Sequence, residues 1–199
     1  MPTAIDPDLT ALNLPPLRLR PWREEDAPAV RDALHESMQS VSRFLAWCHP
    51  DYDLEEARTW IARCRASWLE GTMYDFAILA ADGELLGAVG LNDLDAANHR
   101  ANLGYWIRDS ARGNSYTALA ARAVAAFGFE RLELERIEIV AAIDNLASQR
   151  CAEKIGGVVE GVARRRIWIR EQPHDAVVYG LLPEDLAQQA AAHQSAISS

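Results

Sequence analysis

A short polar turn and the helical stretch after it, together residues 108–127, carry the most suggestive chemistry of the chain. The turn contains Arg112, Gly113 and Ser115, and residues 114–128 contain no Asp or Glu. A helix N-terminus carries a partial positive charge that usually attracts acidic side chains into its first turn. The absence of acids favours a site for an anion such as phosphate, because backbone N–H groups at a helix N-terminus bind phosphate oxygens directly.

The side chains around this turn support the phosphate hypothesis and also allow a simpler one. Arg108 and Arg112 would bring positive charge to the site. The hydroxyls of Ser115 and Thr117 could donate hydrogen bonds. The simpler interpretation is that Asn114 or Ser115 is an ordinary N-cap residue and that the arginines are solvated. The turn alone leaves both interpretations open.

The spacing of apolar residues predicts the elements that hold this turn in place. A strand-like segment at 102–107 precedes the turn, so the turn would join a strand to a helix. The order of strands and helices predicts a mixed sheet with helices on both faces, in the α/β (mixed α+β) class. We expect an N-terminal arm at 1–16, a single domain at 17–183 and a C-terminal tail at 184–199. The predicted strands are 17–20, 74–80, 84–91, 102–107, 136–143, 158–169 and 176–182, and further helices are predicted near 23–37, 53–70 and 145–155.

Composition and charge narrow the functional classes. The 199 residues are 49% hydrophobic and 25% charged, which is typical of a globular domain. The net charge of -9 argues against a nucleic-acid-binding protein and mildly favours a cationic partner such as an amine. Cys48, Cys64 and Cys151 suit neither a disulfide framework nor a metal site, so no metal is expected. We recognise no signal peptide and no apolar run long enough for a membrane span, and therefore expect a cytoplasmic protein without a membrane partner.

Three ordered stretches of the sequence, together with its opening, are similar to the motifs of one known family. The stretches are NLGYWIRDSARGNSYTALAARA, RIEIVAAIDNLASQRCAEKIGGVVEG and HDAVVYGLL, and the opening is LRLRPWREEDAPAV. They resemble the GNAT superfamily of acetyl-CoA-dependent N-acetyltransferases, and most closely its RimJ/RimL-like branch, which acetylates protein N-terminal amines. The resemblance covers residues 17–183. It implies a GNAT-type three-layer fold with a central mixed, mostly antiparallel sheet of about seven strands, a splay between the strands near Trp106 and Val140, and helices on both faces.

The resemblance also implies where a co-substrate, acetyl-CoA (coenzyme A), would bind. Its pantetheine arm would lie between the two splayed strands, and its pyrophosphate would lie at the turn 112–117. The family usually has small residues where this chain has Ser115 and Thr117. Because glycine permits close approach of the backbone, these two residues could weaken cofactor binding or replace the lost approach with hydroxyl contacts. The cofactor-binding residues implied in this way are Trp106, Ile107, Arg108, Arg112, Gly113, Asn114, Ser115, Tyr116, Thr117 and Asn145.

The segment after the strand at 136–143 supplies the catalytic candidate. Many GNAT members have a tyrosine there for the departing thiolate, but this chain has Ala152 at that position. The RimJ/RimL-like branch instead has Asn-x-x-Ser, which Asn145 and Ser148 match. The resemblance therefore implies that the Ser148 hydroxyl donates a hydrogen bond to the thiolate. The alternative is that Asn145 is only an N-cap and Ser148 a tolerated polar residue.

A general base is harder to assign. Many relatives carry glutamate at the position of Asn102, and an amide cannot accept a proton. A protein α-amine has a pKa of about 8, so a dedicated base matters less for such a substrate. The remaining candidates, each of which also fits a structural role, are Glu36, His49, Asp93, His99 and His174.

These observations give one leading functional hypothesis and two alternatives. The leading one is an N-acetyltransferase that transfers the acetyl group of acetyl-CoA to a primary amine by direct attack in a ternary complex, with a protein N-terminal amine as the nearest substrate class. The first alternative is an acetyltransferase for a small-molecule amine, such as a polyamine, amino acid or aminoglycoside. The second is a catalytically weak acyl-CoA-binding module. The edge strands and the hairpin at 158–182 could support a homodimer.

Overall fold

An eight-stranded sheet runs through the molecule, which a computed structural model describes for residues 5–189. The strands are β1 (Leu12–Leu14), β2 (Leu17–Pro21), β3 (Tyr74–Ala80), β4 (Leu85–Asp95), β5 (Arg100–Ile107), β6 (Arg136–Ala142), β7 (Val158–Ile169) and β8 (Gln172–Leu181). They lie in the order β1-β2-β3-β4-β5-β6-β8-β7. All neighbouring strands are antiparallel except β5 and β6, which are parallel. The expected mixed, mostly antiparallel sheet is therefore confirmed.

Helices cover both faces of this sheet, as the three-layer expectation requires. They are α1 (Ala27–Glu36), α2 (Met38–Val41), α3 (Leu54–Glu70), α4 (Tyr116–Arg131) and α5 (Leu146–Lys154), and residues 183–189 are also helical. α3 begins with a capping box, in which the side chains of Asp53 and Glu56 each accept from the other's backbone N–H. It ends at Gly71, whose φ of 71° is a conformation that glycine adopts readily.

Two apolar clusters, one on each face of the sheet, fix the position of the helices. On the first face, Leu34 of α1 and Ile61 of α3 are buried in the same cluster as Trp106 of β5. On the second face, Val124 of α4 is buried in a cluster against which Tyr105 of β5 packs. Successive side chains of a strand point to opposite faces. The side chain of Tyr105 therefore lies on the face that carries α4 and α5, and that of Trp106 on the face that carries α1 and α3.

The two parallel strands in the middle of the sheet separate after a short contact. β5 and β6 pair at only three positions, which run from Arg100 opposite Arg136 to Asn102 opposite Glu138. Both strands continue beyond these pairs, to Ile107 and Ala142 respectively. The predicted splay near Trp106 and Val140 is thus present, and we refer to the opening between 103–107 of β5 and 139–142 of β6 as the β5–β6 gap.

The structure differs from the sequence-based expectations in several element bounds, and β8, for example, begins at Gln172 instead of 176. An eighth strand, β1, lies in the segment expected to be an arm and pairs with β2. β4 continues to Asp95 and β5 begins at Arg100, which leaves a shorter loop between them than the sequence suggested. Residues 183–189 of the chain end are helical, whereas the expectation for 190–199 lies outside the described residues. None of the described helices has the length and apolar character needed to cross a membrane.

β7 forms one edge of the sheet and carries exposed apolar side chains. Val158, Val159 and Val162 are each more than half exposed. The pairing of β7 with β8 is interrupted near Gly161 and again near Arg165, both of which have positive φ. Irregularities of this kind limit edge-to-edge pairing with another chain. The homodimer suggested for this hairpin stays a prediction.

Candidate active site

The turn before α4 has the backbone geometry of an anion-binding loop. Gly113 and Ser115 both have positive φ, of 85° and 59°, and the turn at 112–115 is exposed. Ser115 occupies the N-cap position of α4 but its side chain makes no capping hydrogen bond. The buried face of α4 is built from small and apolar residues, so its N-terminus is held against the sheet without acidic side chains. The N–H groups of its first turn are therefore available to a ligand.

The two arginines expected to serve this turn are bonded to acidic side chains. Arg108 forms ion pairs with Glu36 and Glu84, and its side chain is only 18% exposed. The Nη1 atom of Arg112 lies 3.1 Å from a carboxylate oxygen of Asp109. Their positive charge is thus largely balanced within the protein, which weakens the attraction of these two arginines for a bound anion.

Lys154 brings a further positive charge to the turn that the sequence did not reveal. Its Nζ donates to the Ser115 Oγ at 3.1 Å, from the last residue of α5 to the N-cap of α4. The two residues are 39 positions apart, and only the packing of α5 beside α4 brings them together. A lysine near the end of a helix has an ordinary role at the helix C-terminus, so its spacing in the sequence gave no signal.

Glu36, a candidate base, is fully engaged at the end of α1. Its Oε2 accepts from Arg108 Nε at 2.9 Å and also from Nη2, and its Oε1 accepts from the backbone N–H of Ser110 at 2.9 Å. The hydrogen bonds from Arg108 and then from Ser110 lower the pKa of Glu36 to about 2. A carboxylate with so low a pKa is a weak base, so the geometry disfavours Glu36 in that role.

Two of the other base candidates have hydrogen-bond partners, and two lie in strands without a described side-chain partner. His49 Nε2 lies 3.0 Å from Glu56 Oε1, and His99 Nδ1 lies 3.1 Å from the carbonyl oxygen of Glu133. At the position where relatives carry glutamate, Asn102 Nδ2 donates to Asn92 Oδ1 at 2.9 Å. Asp93 is exposed and lies in β4, and His174 lies in β8. Neither side chain has a described hydrogen-bond partner that would orient it for catalysis.

The backbone of β5 offers hydrogen-bonding groups to the β5–β6 gap. The N–H of Arg108 donates to the carbonyl of Leu86 in β4 at 2.8 Å. Alternate residues of an antiparallel strand direct their backbone groups to the same neighbour, so Trp106 also faces β4. The N–H and C=O groups of Tyr105 and Ile107 then point into the gap, where β6 no longer pairs with β5, whereas the N–H of Leu103 still faces the last paired residue, Glu138. Of the predicted backbone contacts, Ile107 faces the gap and Trp106 and Arg108 face β4.

Ser148 lies in the first turn of α5, directly beside the gap. Asn145 caps this helix, because its Oδ1 accepts from the N–H of Ser148 at 3.2 Å. The hydroxyl of Tyr105 lies 3.0 Å from the carbonyl oxygen of Ser148 and 3.2 Å from its Oγ. Ala152, which stands where many relatives have tyrosine, is fully buried. The sequence identified Asn145 and Ser148 but gave no indication of Tyr105, since that contact spans two elements.

Residues 37–43, which we call the 37–43 bridge, connect the segments that follow both strands of the gap. Ser40 Oγ donates to Asp109 Oδ1 at 2.6 Å, in the turn after β5. Arg43 donates to Asp144 at 3.0 Å, directly after β6. At the tip of the β7–β8 hairpin, Arg170 donates to Ser42 Oγ at 3.0 Å. The bridge therefore spans the ends of the two strands on the side of α1 and α2.

Comparisons with known proteins agree with this geometry. Residues 16–158 match the acetyltransferase (GNAT) domain family. The chain is 30% identical over 167 residues to YoaA of Bacillus subtilis (strain 168), which is named an uncharacterized N-acetyltransferase, covering 83% of this chain and 93% of YoaA. It is 28% identical over 104 residues to a ribosomal-protein-serine acetyltransferase of Escherichia coli (strain K12), covering 52% of this chain and 58% of that protein.

Solved structures share the same fold. RimL, a ribosomal L7/L12 alpha-N-protein acetyltransferase solved in complex with coenzyme A, is 21% identical to this chain and superposes with a TM-score of 0.82, over 87% of this chain and 98% of RimL. The family match and the relatives show that the chain belongs to the GNAT acetyltransferase family and is an acyltransferase.

Proposed function

We propose that this protein transfers the acetyl group of acetyl-CoA to the N-terminal amine of a protein. The observation that carries the proposal is the β5–β6 gap, which opens beside the uncapped N-terminus of α4. A gap in a sheet leaves backbone groups without strand partners, and a helix N-terminus attracts phosphate. An extended molecule with amides at one end and a pyrophosphate at the other fits both features.

The residues that line the gap and the turn are suited to coenzyme A. Tyr105 and Ile107 offer backbone N–H and C=O groups for the amides of the pantetheine arm. The first-turn N–H groups of α4, the Ser115 hydroxyl and the Lys154 ammonium group suit the pyrophosphate. Gly113, with nothing near the position of a Cβ atom, leaves space for a phosphate to approach the backbone. Arg108 serves instead to hold the turn through Glu36, which changes the role first expected for it.

The chemistry requires one bond to form and one to break. Acetyl-CoA supplies the acetyl group as a thioester, so that the amine nitrogen bonds to the carbonyl carbon, the carbon–sulfur bond breaks, and the amine proton is lost as the thiol forms. A protein α-amine has a pKa of about 8, so a useful fraction is already neutral without a base from the protein. The Ser148 hydroxyl, at the start of α5, donates a hydrogen bond to the departing sulfur and lowers the cost of its negative charge. Orientation in the gap contributes much of the remaining rate enhancement.

One observation favours a protein amine as the acceptor: the likeness to proteins named as ribosomal-protein acetyltransferases, in sequence to the Escherichia coli enzyme and in fold to RimL. The 37–43 bridge lies at the ends of β5 and β6 on the face opposite α4 and α5. In this proposal the acceptor approaches from the side of the bridge and the cofactor lies on the other face.

The first prediction tests cofactor and acceptor together. Coenzyme A at millimolar concentration should raise the Tm, because a ligand that binds only the folded state stabilises it. With acetyl-CoA, short peptides that begin with a free serine amine should give acceptor-dependent release of thiol, and the same peptides with a blocked N-terminus should not.

A polyamine, an amino acid and an aminoglycoside belong in the same assay. Faster turnover of one of these than of any peptide would overturn the protein acceptor while leaving acetyl transfer intact. Thermal stabilisation by coenzyme A with no turnover of any amine would show a binding module instead of an enzyme. The three outcomes are distinct.

A further inference from the structure

We propose that Tyr105 is a positioning residue for Ser148, an inference that rests on the proposed function. Tyr105 lies in β5 within the gap, and its side chain points to the face that carries α5. Ser148 lies on α5, the helix that follows β6. The pair therefore joins the two sides of the gap at the place where the thioester would lie.

The contact is closely defined by geometry. The Tyr105 hydroxyl is 3.0 Å from the Ser148 carbonyl oxygen and 3.2 Å from the Ser148 Oγ, so it reaches both oxygen atoms of one residue. Asn145 fixes the backbone of the same residue by accepting from its N–H at 3.2 Å. Asn145 thus holds the amide of Ser148, and the Tyr105 hydroxyl lies within hydrogen-bond distance of both its carbonyl oxygen and its Oγ.

The number of hydrogens in this pair limits what it can do. Tyr105 and Ser148 have one hydroxyl hydrogen each. If Tyr105 donates to the carbonyl, the serine hydrogen points to the tyrosine oxygen and is not offered to a ligand. If Tyr105 donates to Ser148 Oγ, the serine hydrogen is free to turn towards the sulfur. The hydrogen bond that the Ser148 hydroxyl accepts also makes that hydroxyl a stronger donor.

Burial keeps the tyrosine in the protonated form that this second arrangement needs. Burial raises the pKa of Tyr105 well above its usual value, so the phenol remains a donor throughout the pH range in which the protein would work. Ala152, one turn further along α5, carries no hydroxyl of its own. The hydroxyl of Tyr105 thus reaches α5 from the neighbouring strand and acts on the sulfur only through Ser148.

A double-mutant cycle tests this inference. Ser148→Ala should lower kcat by roughly 10- to 1,000-fold, the range for one polar catalytic group. Tyr105→Phe should lower kcat by about 3- to 10-fold in the wild-type background, as expected for one hydrogen bond. In the Ser148→Ala background the same change should cost less than about twofold, because a residue that acts only through Ser148 has nothing left to position.

Tyr179→Phe is the matched control. Tyr179 is also buried, and its hydroxyl donates to Glu153 of the same helix at 3.3 Å, away from Ser148. We expect this variant to keep the wild-type kcat. The KM for the peptide, the affinity for coenzyme A and the Tm should stay close to wild type in Tyr105→Phe, whereas damage to the fold would change them together.

The outcomes separate this inference from the function on which it rests. A large loss in Ser148→Ala with wild-type turnover in Tyr105→Phe would overturn the positioning role and leave the function standing. An equal loss from Tyr105→Phe in both backgrounds would also overturn it, since Tyr105 would then act independently of Ser148. Wild-type turnover in Ser148→Ala, or no turnover in the wild-type protein, would contradict the proposed function and remove this inference with it.

Discussion

Ser115 shows at the scale of one residue why the turn of this family favours small residues. Its φ of 59° is left-handed, a conformation that costs a residue with a side chain about 1 kcal/mol relative to glycine. The same side chain accepts a hydrogen bond from Lys154 and places a hydroxyl at the phosphate site. Serine at this position therefore costs backbone strain and gains a polar contact.

Substitution of Ser115 should separate these two effects. Ser115→Gly should raise the Tm by up to about 3 °C, since it relieves the left-handed strain, and should leave coenzyme A binding unchanged or tighter. Ser115→Ala keeps the strain and loses the hydroxyl, so it should weaken coenzyme A binding by about 1 kcal/mol. Differential scanning calorimetry and cofactor titration measure both quantities.

Ser110→Gly is a suitable control, because Ser110 lies in the same turn region and does not have a positive φ. Ser110→Gly should not raise the Tm. If Ser115→Ala bound coenzyme A more tightly than the wild type, the hydroxyl would be an obstacle and not a ligand.

At the scale of elements, the sequence predicted the features that leave a local pattern of apolar residues or a family motif. The seven longer strands have clear apolar patterns, and the splay followed from the resemblance of the motifs around Trp106 and Val140. β1 was missed because three residues with two leucines are too short to distinguish a strand from a loop. Lys154 and Tyr105 were missed because their contacts join different elements, and no spacing along the chain reports such a contact.

Asp75 shows how β3 and α3 meet with an acidic group between them. Its Oδ2 lies 3.9 Å from Cys64 Sγ of α3. Opposite it in β4 is Gly90, where a Cβ atom would lie only 2.0 Å from Asp75 Oδ1. Burial raises the pKa of Asp75 to about 6. The ionised carboxylate is therefore less stable in the folded protein than in the unfolded chain.

Asp75→Asn should consequently stabilise the protein at neutral pH. In the unfolded chain the pKa is about 3.9, so the folded state binds the proton more tightly, and the penalty of ionisation grows as pH rises from about 4 to about 6. At pH 7.5 the Tm of the variant should exceed that of the wild type by about 2–4 °C, and near pH 4 the two should converge. Exposed Asp51→Asn is the control and should change little at either pH. A variant less stable than wild type at pH 7.5 would show that the carboxylate is needed in its charged form.

At the scale of the whole molecule, the sheet is continuous at β5 and β6 through only three residue pairs. The rest of the connection between its two parts comes from α4 and α5 and from the 37–43 bridge, whose ties reach Asp109, Asp144 and Arg170. The ion pair of Glu36 with Arg108 holds the end of α1 to the turn after β5, within the first of these parts. The site is thus assembled from both parts of the sheet, and no single element contains it.

The gap has a consequence for amide hydrogen exchange. The N–H groups of Tyr105 and Ile107 have no strand partner on the β6 side of the described sheet, so they should exchange with solvent quickly in the free protein. The N–H of Trp106, in the same strand but directed to β4, should be protected throughout and serves as an internal reference. Coenzyme A should slow exchange at these two amides and leave Trp106 unchanged. Protection of all three amides in the free protein would contradict this. On this view the ligand completes the sheet, supplying from its own amides the strand that β6 fails to provide.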